Sequence, residues 1–243
     1  METTFETECL NKADFHVGEV TTFLNSAGAD FIRFADLRSL SEKQNRGFPR
    51  AILFGIGLYS ADELCPAPLE QNLQGILDQF HRQEEQTDRM ADELAAWLTE
   101  KGYQARSQSE KQIGADTVFN FETKSSVLPH KTIALLAGLG PIGKSNLLLH
   151  PKFGSAFSMC TVLTDAPLET TQVNSVTTNC GECMVCREIC PRGVIHGCDW
   201  QQQSNRDLLV NVFECIPCLK CMVYCPLSKR YLGKKFESGR SLF

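Results

Sequence analysis

Eight of the twelve cysteines in this 243-residue chain fall into two runs with one spacing. The first reads Cys180-Gly-Glu-Cys183-Met-Val-Cys186-Arg-Glu-Ile-Cys190-Pro191. The second reads Cys215-Ile-Pro-Cys218-Leu-Lys-Cys221-Met-Val-Tyr-Cys225-Pro226. In each, two, two and then three residues separate successive cysteines, and a proline closes the run. Few arrangements other than thiolate ligation of a large inorganic centre require such a repeat.

Three cysteines two residues apart let a tight loop wrap one face of an iron–sulfur cube. The fourth lies a helical step further on and points the other way, so it ligates the other cluster. This is the ligand run of bacterial two-cluster ferredoxins. It assigns one 4Fe–4S cluster to Cys180, Cys183, Cys186 and Cys225, and a second to Cys215, Cys218, Cys221 and Cys190. Pro191 and Pro226 are expected to end the ligand loops by fixing φ and removing a donor. A disulfide framework needs an oxidising compartment, and a zinc ribbon uses two cysteine pairs per ion. Cys9, Cys65, Cys160 and Cys198 remain and read as buried or idle thiols.

A two-cluster module accounts for residues 171–228 and leaves the first 170 unexplained. The expected organisation is an α/β cofactor domain over 1–170, the cluster domain over 171–228 and a basic tail over 229–243. The polar stretch 166–179 marks the boundary. A net charge of -5 argues against a general nucleic-acid binder. Met1 to Glu8 is acidic and has no apolar signal core. The apolar run Ala51–Tyr59 is too short to span a bilayer. The expected location is a reducing cytoplasm with no membrane association.

Apolar spacing at Val17, Val20, Phe23 and Leu24 predicts a helical lead-in over residues 1–28. Ala29–Asp36 alternates as a short strand. Arg50–Tyr59 is apolar on both faces, as a central covered strand would be. Its Gly55 and Gly57 point to close packing, most simply of a helix. Pro66–Lys101 reads as one long helix closed by Gly102. Its stripe is Leu69, Leu73, Ile76, Leu77 and Phe80, continued by Met90, Leu94, Trp97 and Leu98; the polar run Arg82–Arg89 reads as a solvated face. Tyr103–Ser107 is read as an edge strand, and Gln201–Leu209 as a short helix between the cysteine runs. Alternating strands and helices favour an α/β or α+β layer fold.

Gly138-Leu-Gly140-Pro-Ile-Gly143-Lys144-Ser145 fits both a phosphate-loop and a dinucleotide pattern. The context opposes both, because a phosphate loop needs a long helix behind it and Pro151 follows too soon. The glycines still imply close approach of a ligand or a neighbouring strand to the backbone.

Residues His130–Asn146, His150–Gly154 and Thr161–Leu168, followed by the two cysteine runs, resemble the epoxyqueuosine reductase family and the related cobalamin-dependent reductive dehalogenases. The resemblance covers residues 48–228. It implies an α+β chain: a nitroreductase-like α/β domain holding a base-off cobalamin, followed by a two-cluster ferredoxin-like domain that passes electrons to cobalt. On this resemblance His130, Lys131, Gly138, Leu139, Gly140, Ile142, Gly143, Lys144 and Ser145 line the corrinoid pocket. Where the family places a proton-donating Asp, this chain has Lys124, a weak catalytic candidate that would need desolvation to donate a proton. Pro141 replaces the family tryptophan. The helical extension used for tRNA has no counterpart before Phe243, so tRNA is not an expected partner.

The expected function is therefore an iron–sulfur oxidoreductase delivering electrons to cobalamin, or to a small substrate at cobalt. A soluble donor such as a ferredoxin or flavodoxin would supply them. The alternatives are an electron-transfer or corrinoid-handling protein without substrate chemistry, a flavin reductase holding FMN, and an epoxyqueuosine reductase.

Overall fold

The computed structural model describes residues 15–58, 73–170, 180–201 and 205–238, with backbone alone at 233–238. The expectations for Met1–Glu8, for the start of the long helix at Pro66, for the boundary at 171–179, and for Cys9 and Cys65 lie outside these residues.

The larger layer begins with α1 (Val17–Ser26), β1 (Phe31–Asp36), α2 (Glu42–Asn45) and β2 (Arg50–Gly57). It continues with α3 (Leu73–Glu100), β3 (Ala105–Ser107), α4 (Glu110–Ala115) and the hairpin β4 (Phe119–Asn120) and β5 (Ser125–Ser126). Then come α5 (His130–Leu136) and β6 (Phe157–Thr164). The sheet order is β1-β2-β6-β3, and every neighbouring pair is antiparallel. β2 is central, as its two-faced apolarity implies. β6, which sequence reading did not identify as a strand, lies beside it with seven of its eight residues buried.

The period-two side-chain alternation of strands divides the core in two. Ile52, Phe54 and Ile56 of β2 and Cys160 and Val162 of β6 pack under α1 and α3. Ala51, Leu53 and Leu163 face α5 instead. α3 crosses the first face and ends as expected: Gly102 has φ +86° and the Tyr103 N–H returns to the Leu98 carbonyl at 3.1 Å. Its middle departs from expectation. Gln79, Gln83 and Thr87 point inward with Ile76, Met90, Leu94 and Leu98, so the run Arg82–Arg89 is not wholly solvated. The Gln83 amide donates to the Gly57 carbonyl at 2.9 Å, which satisfies a buried group rather than filling space.

The glycines of β2 make room for aromatic rings rather than for a helix backbone. A Cβ at Gly55 would lie 2.3 Å from the Ser158 carbonyl oxygen of β6 and 2.4 Å from the Phe31 ring, and one at Gly57 would lie 2.7 Å from Phe153 and from the Tyr231 hydroxyl.

The doubled spacing gives doubled local structure. α6 (Val185–Glu188) and α7 (Lys220–Val223) each begin one residue before the third cysteine of a run. The runs diverge after Cys-Pro. Residues 191–193 turn, whereas Pro226 opens α8 (Pro226–Ser238), where a missing N–H is harmless. Pro226 thus starts a helix instead of only ending a loop. Between the runs a 3-10 turn covers Arg206–Leu208, shorter than the expected helix. Val194, Ile195 and Val210 form a small core against Cys186, Cys190 and Cys221.

Of the stretch read as a basic tail over 229–243, residues 229–238 lie within α8, and their beginning is part of the fold. Tyr231 and Leu232 are buried in the main core, and the Tyr231 hydroxyl donates to the Leu58 carbonyl at 2.9 Å. Ser228 sits against Gly154 and accepts from the Ser155 N–H at 3.0 Å. The cysteine module is therefore fastened to the sheet layer on its far side as well as by chain connection. Arg206 adds a third attachment, donating to the Thr123 and Lys124 carbonyls at 2.9 and 2.6 Å.

Candidate functional site

Two cavities meet at the N-terminus of α5. The first, about 550 Å³, lies between β6 and the cysteine module. Phe157, Ser158 and Met159 form its sheet side, with Pro129, His130, Lys131, Ser145 and Asn146 beside them. Cys190, Cys215, Cys218 and Cys221 line the opposite wall. A cube on those thiols would take part of the volume, and the remaining walls are mainly apolar. The second cavity, about 560 Å³, shares Glu84, His130, Ser158 and Met159 and adds Asp88, Glu110, Phe119 and Phe121.

The thiols group as two neighbourhoods. Burial raises the Cys186 thiol, and the charges of Cys180, Cys183 and Cys225 add to the rise. Burial likewise raises Cys215, followed by Cys190 and Cys218. Cys221 is pushed up to about 12 by burial, with Cys218, Cys215, Cys186 and Cys190 contributing. Burial and crowding oppose ionisation of the free thiols, so iron, which takes them as thiolates, must displace their protons on binding. Among the described residues no three His, Cys, Asp or Glu side chains converge closely enough for a single ion; the faces of a cube hold its ligands further apart. The donor set fits two iron–sulfur clusters. Of the leftover thiols, Cys160 is buried and donates to Asp88 at 3.4 Å, whereas Cys198 is exposed.

His130 is held in one tautomer. Thr161 Oγ1 donates to Gln108 Oε1 at 2.5 Å, and the Gln108 amide donates to the Leu128 carbonyl at 3.2 Å. The Thr161 oxygen must then accept from His130 Nδ1–H, 2.8 Å away, which leaves Nε2 a lone-pair acceptor. Burial lowers the His130 pKa to about 4, so the ring is neutral. Lys131 is lowered to about 8 by burial and then by Arg206, and its Nζ donates to the Asn146 carbonyl at 2.8 Å. Glu84 stands at the junction of the cavities. Its side chain is exposed, yet desolvation raises its carboxyl to about 7, with His81 opposing the rise and the Glu110 and Asp88 charges adding to it.

Of the corrinoid-lining set implied by resemblance, His130, Lys131 and Ser145 face the first cavity. Gly138, Leu139, Gly140, Ile142, Gly143 and Lys144 are not in its walls. Gly138 and Leu139 close α5, their N–H groups returning to the Leu135 and Ala134 carbonyls at 3.1 and 2.9 Å, and the rest fold as a tight hairpin in which Ile142 bridges Leu148 and the Leu149 N–H returns to the Pro141 carbonyl at 2.8 Å. A Cβ at Gly140 would lie 1.9 Å from the Leu149 carbonyl oxygen. The partner that demands glycine is thus the chain itself. Gly140→Ala is expected to cost about 3 kcal/mol or more, because backbone rather than a side-chain tip must move. A lowered denaturation midpoint checks this.

Lys124 is not in either cavity's walls. It occupies the β4–β5 turn at φ +47°, and its ammonium donates to the Val212 carbonyl at 3.3 Å, 5.4 Å from the centre of the Phe213 ring. It clasps the hairpin to the cysteine module, and the proton-donor role is not supported by its position. Glu84 was hidden from sequence reading inside a charged run; its partial signal was Gln79, Gln83 and Thr87 breaking the apolar stripe at helical spacing.

His150 is also neutral, with a pKa lowered to about 4 by burial and then by Arg33 and Lys152. Its Nδ1 accepts from the Lys152 N–H at 3.0 Å, and its ring packs 4.6 Å from that of Phe153. In the unfolded chain both histidines take a proton near pH 6.5. Their contribution to stability is therefore complete above that pH and is lost as pH falls toward 4. Thermal midpoints measured from pH 7 to 4 are expected to fall, with a shallower slope for His150→Gln.

No protein-family model matches the chain. A 71-residue stretch is 39% identical to the epoxyqueuosine reductase of Escherichia coli, covering 29% of this chain and 18% of that protein. Over 90 residues it is 30% identical to the epoxyqueuosine reductase of Yersinia pestis, covering 37% and 21%. The chain thus matches about a fifth of the length of these curated relatives. Among solved structures, epoxyqueuosine reductase from Bacillus subtilis superposes with a TM-score of 0.55 at 15% identity, over 87% of this chain and 65% of that one. A reductive dehalogenase whose structure suggests a mechanism for B12-dependent dehalogenation gives 0.59 at 17% identity, over 91% and 33%. These likenesses establish a shared mixed α/β fold, and epoxyqueuosine reductases are also the curated proteins that the sequence matches.

Proposed function

We propose that this chain, which shares its fold with epoxyqueuosine reductases and a B12-dependent reductive dehalogenase, is an oxidoreductase with two 4Fe–4S clusters serving a cobalamin. Cys180, Cys183, Cys186 and Cys225 hold one cluster, and Cys215, Cys218, Cys221 and Cys190 hold the other. The front layer is nitroreductase-like and the cysteine module ferredoxin-like. The observation that carries this reading is one wall of the first cavity. It contains all four cysteines of the second set and none of the first. On this reading the second set stands beside the cofactor, and the first receives electrons from a soluble carrier such as a ferredoxin or flavodoxin.

Bound cobalamin would supply the low-potential centre at which a substrate is reduced. The chain supplies the surroundings. Apolar walls at Phe157, Met159 and Leu148 exclude water. Neutral His130 presents an acceptor, Lys131 and Ser145 present polar groups, and Glu84 carries a proton near neutrality. A reduction that ends in protonation needs such a group within reach, and a carboxyl near pH 7 suits it.

Anaerobic purification and reconstitution with hydroxocobalamin test the proposal. About eight irons per chain and a bound corrinoid spectrum are expected. Iron without corrinoid binding would reject the cobalamin role, and a released yellow chromophore would point to FMN instead.

A further inference from the structure

The lysine of the phosphate-loop lookalike donates into the first cysteine loop and does not line the first cavity. We infer that Lys144 sets the reduction potential of the cluster held by Cys180, Cys183, Cys186 and Cys225, an inference that rests on the two-cluster reading.

Lys144 sits at the tip of the 140–149 hairpin and is only 4% exposed. Its Nζ donates to the Gly181 carbonyl at 2.6 Å, inside the first ligand loop. Its neighbour Gly143 lies so close to that loop that a Cβ there would be 3.5 Å from Cys180 Sγ. The carboxylate facing the ammonium is that of Asp199, at 3.9 Å on a side chain 52% exposed. A buried cation is thus held against a ligand loop with incomplete compensation. Desolvating a lysine is unfavourable, and fastening the hairpin would need only a neutral donor.

The redox consequence follows from charge. One electron leaves the soluble carrier, which is oxidised, and enters the cluster, which is reduced; no bond or proton is transferred. A fixed positive charge in a weakly screened position favours the more negative, reduced cluster. Lys144 therefore raises the potential of the receiving cluster, and Asp199 partly offsets it.

The test is an anaerobic redox titration followed by electron paramagnetic resonance on the full, cluster-loaded chain, comparing wild type with Lys144→Met, Lys144→Arg and Asp199→Asn. Lys144→Met should move one midpoint to more negative potential and leave the other in place. Lys144→Arg should keep the wild-type value. Asp199→Asn should move the same midpoint the opposite way. The wave that moves should be the one missing in Cys225→Ser. Should Lys144→Met fail to take up iron, the exposed Asp199→Asn decides alone. Unmoved midpoints with iron content intact would overturn the inference and leave Lys144 a latch. A wild-type chain without clusters would instead overturn the reading beneath it.

Discussion

Replacing Cys225 with serine is expected to halve the iron content by removing the cluster whose other ligands lie in the first cysteine run. Crossed ligation makes this prediction sharp through double variants. Cys180→Ser combined with Cys225→Ser should lose no more iron than either alone, because both changes strike one cluster. Cys180→Ser combined with Cys190→Ser should lose nearly all of it, because those changes strike both clusters. Run-by-run ligation predicts the reverse. Two changes on one cooperative unit are non-additive, whereas changes on separate units add. The neighbourhood of Cys186, which includes Cys225 along with Cys180 and Cys183, supports the crossed pattern. Iron and sulfide assays on the four proteins decide it.

Glu84→Gln should lower substrate turnover about 100-fold, the lower end of what a positioned general acid contributes. The pH profile carries more information than the magnitude. The folded carboxyl is raised to about 7 by desolvation first, so its proton is present below that pH and lost above it. Wild-type turnover should decline as pH rises through 7. The glutamine variant should be slow throughout and lack that limb. A variant as slow but retaining the limb would assign the titration to another group, with Lys131, at about 8, the next to examine. Lys124, clasped against Phe213, should leave the limb intact when replaced by glutamine.

The cysteine runs were legible because their signal is local: spacing alone produces the matching one-turn helices at Val185 and Lys220. β2 was legible because a strand covered on both faces is apolar at every position. What failed were features set by distant partners. β6 places Thr161 and Ser158 among apolar residues, where their hydroxyls meet Gln108 and Thr87, so its composition obscures a strand. The inward polar stripe of α3 is intelligible only with the cavities in view. The glycine loop satisfied two ligand-binding patterns, yet Leu149 across the hairpin is what excludes a Cβ at Gly140. α8 read as a charged tail because the short buried set at Ser228, Tyr231 and Leu232 is too sparse for a periodic signal beside the basic residues.

That last helix has a kinetic corollary. With Ser228 lodged against Gly154, Tyr231 bonded to Leu58, and Arg206 gripping the β4–β5 turn, the cysteine module is sewn down along several edges. It cannot swing between a donor and the cavity as a tethered shuttle would. On the two-cluster proposal, intramolecular tunnelling should then cross a constant gap, and its rate should be indifferent to solvent viscosity, leaving docking of the proposed soluble carrier as the step that thickened medium slows.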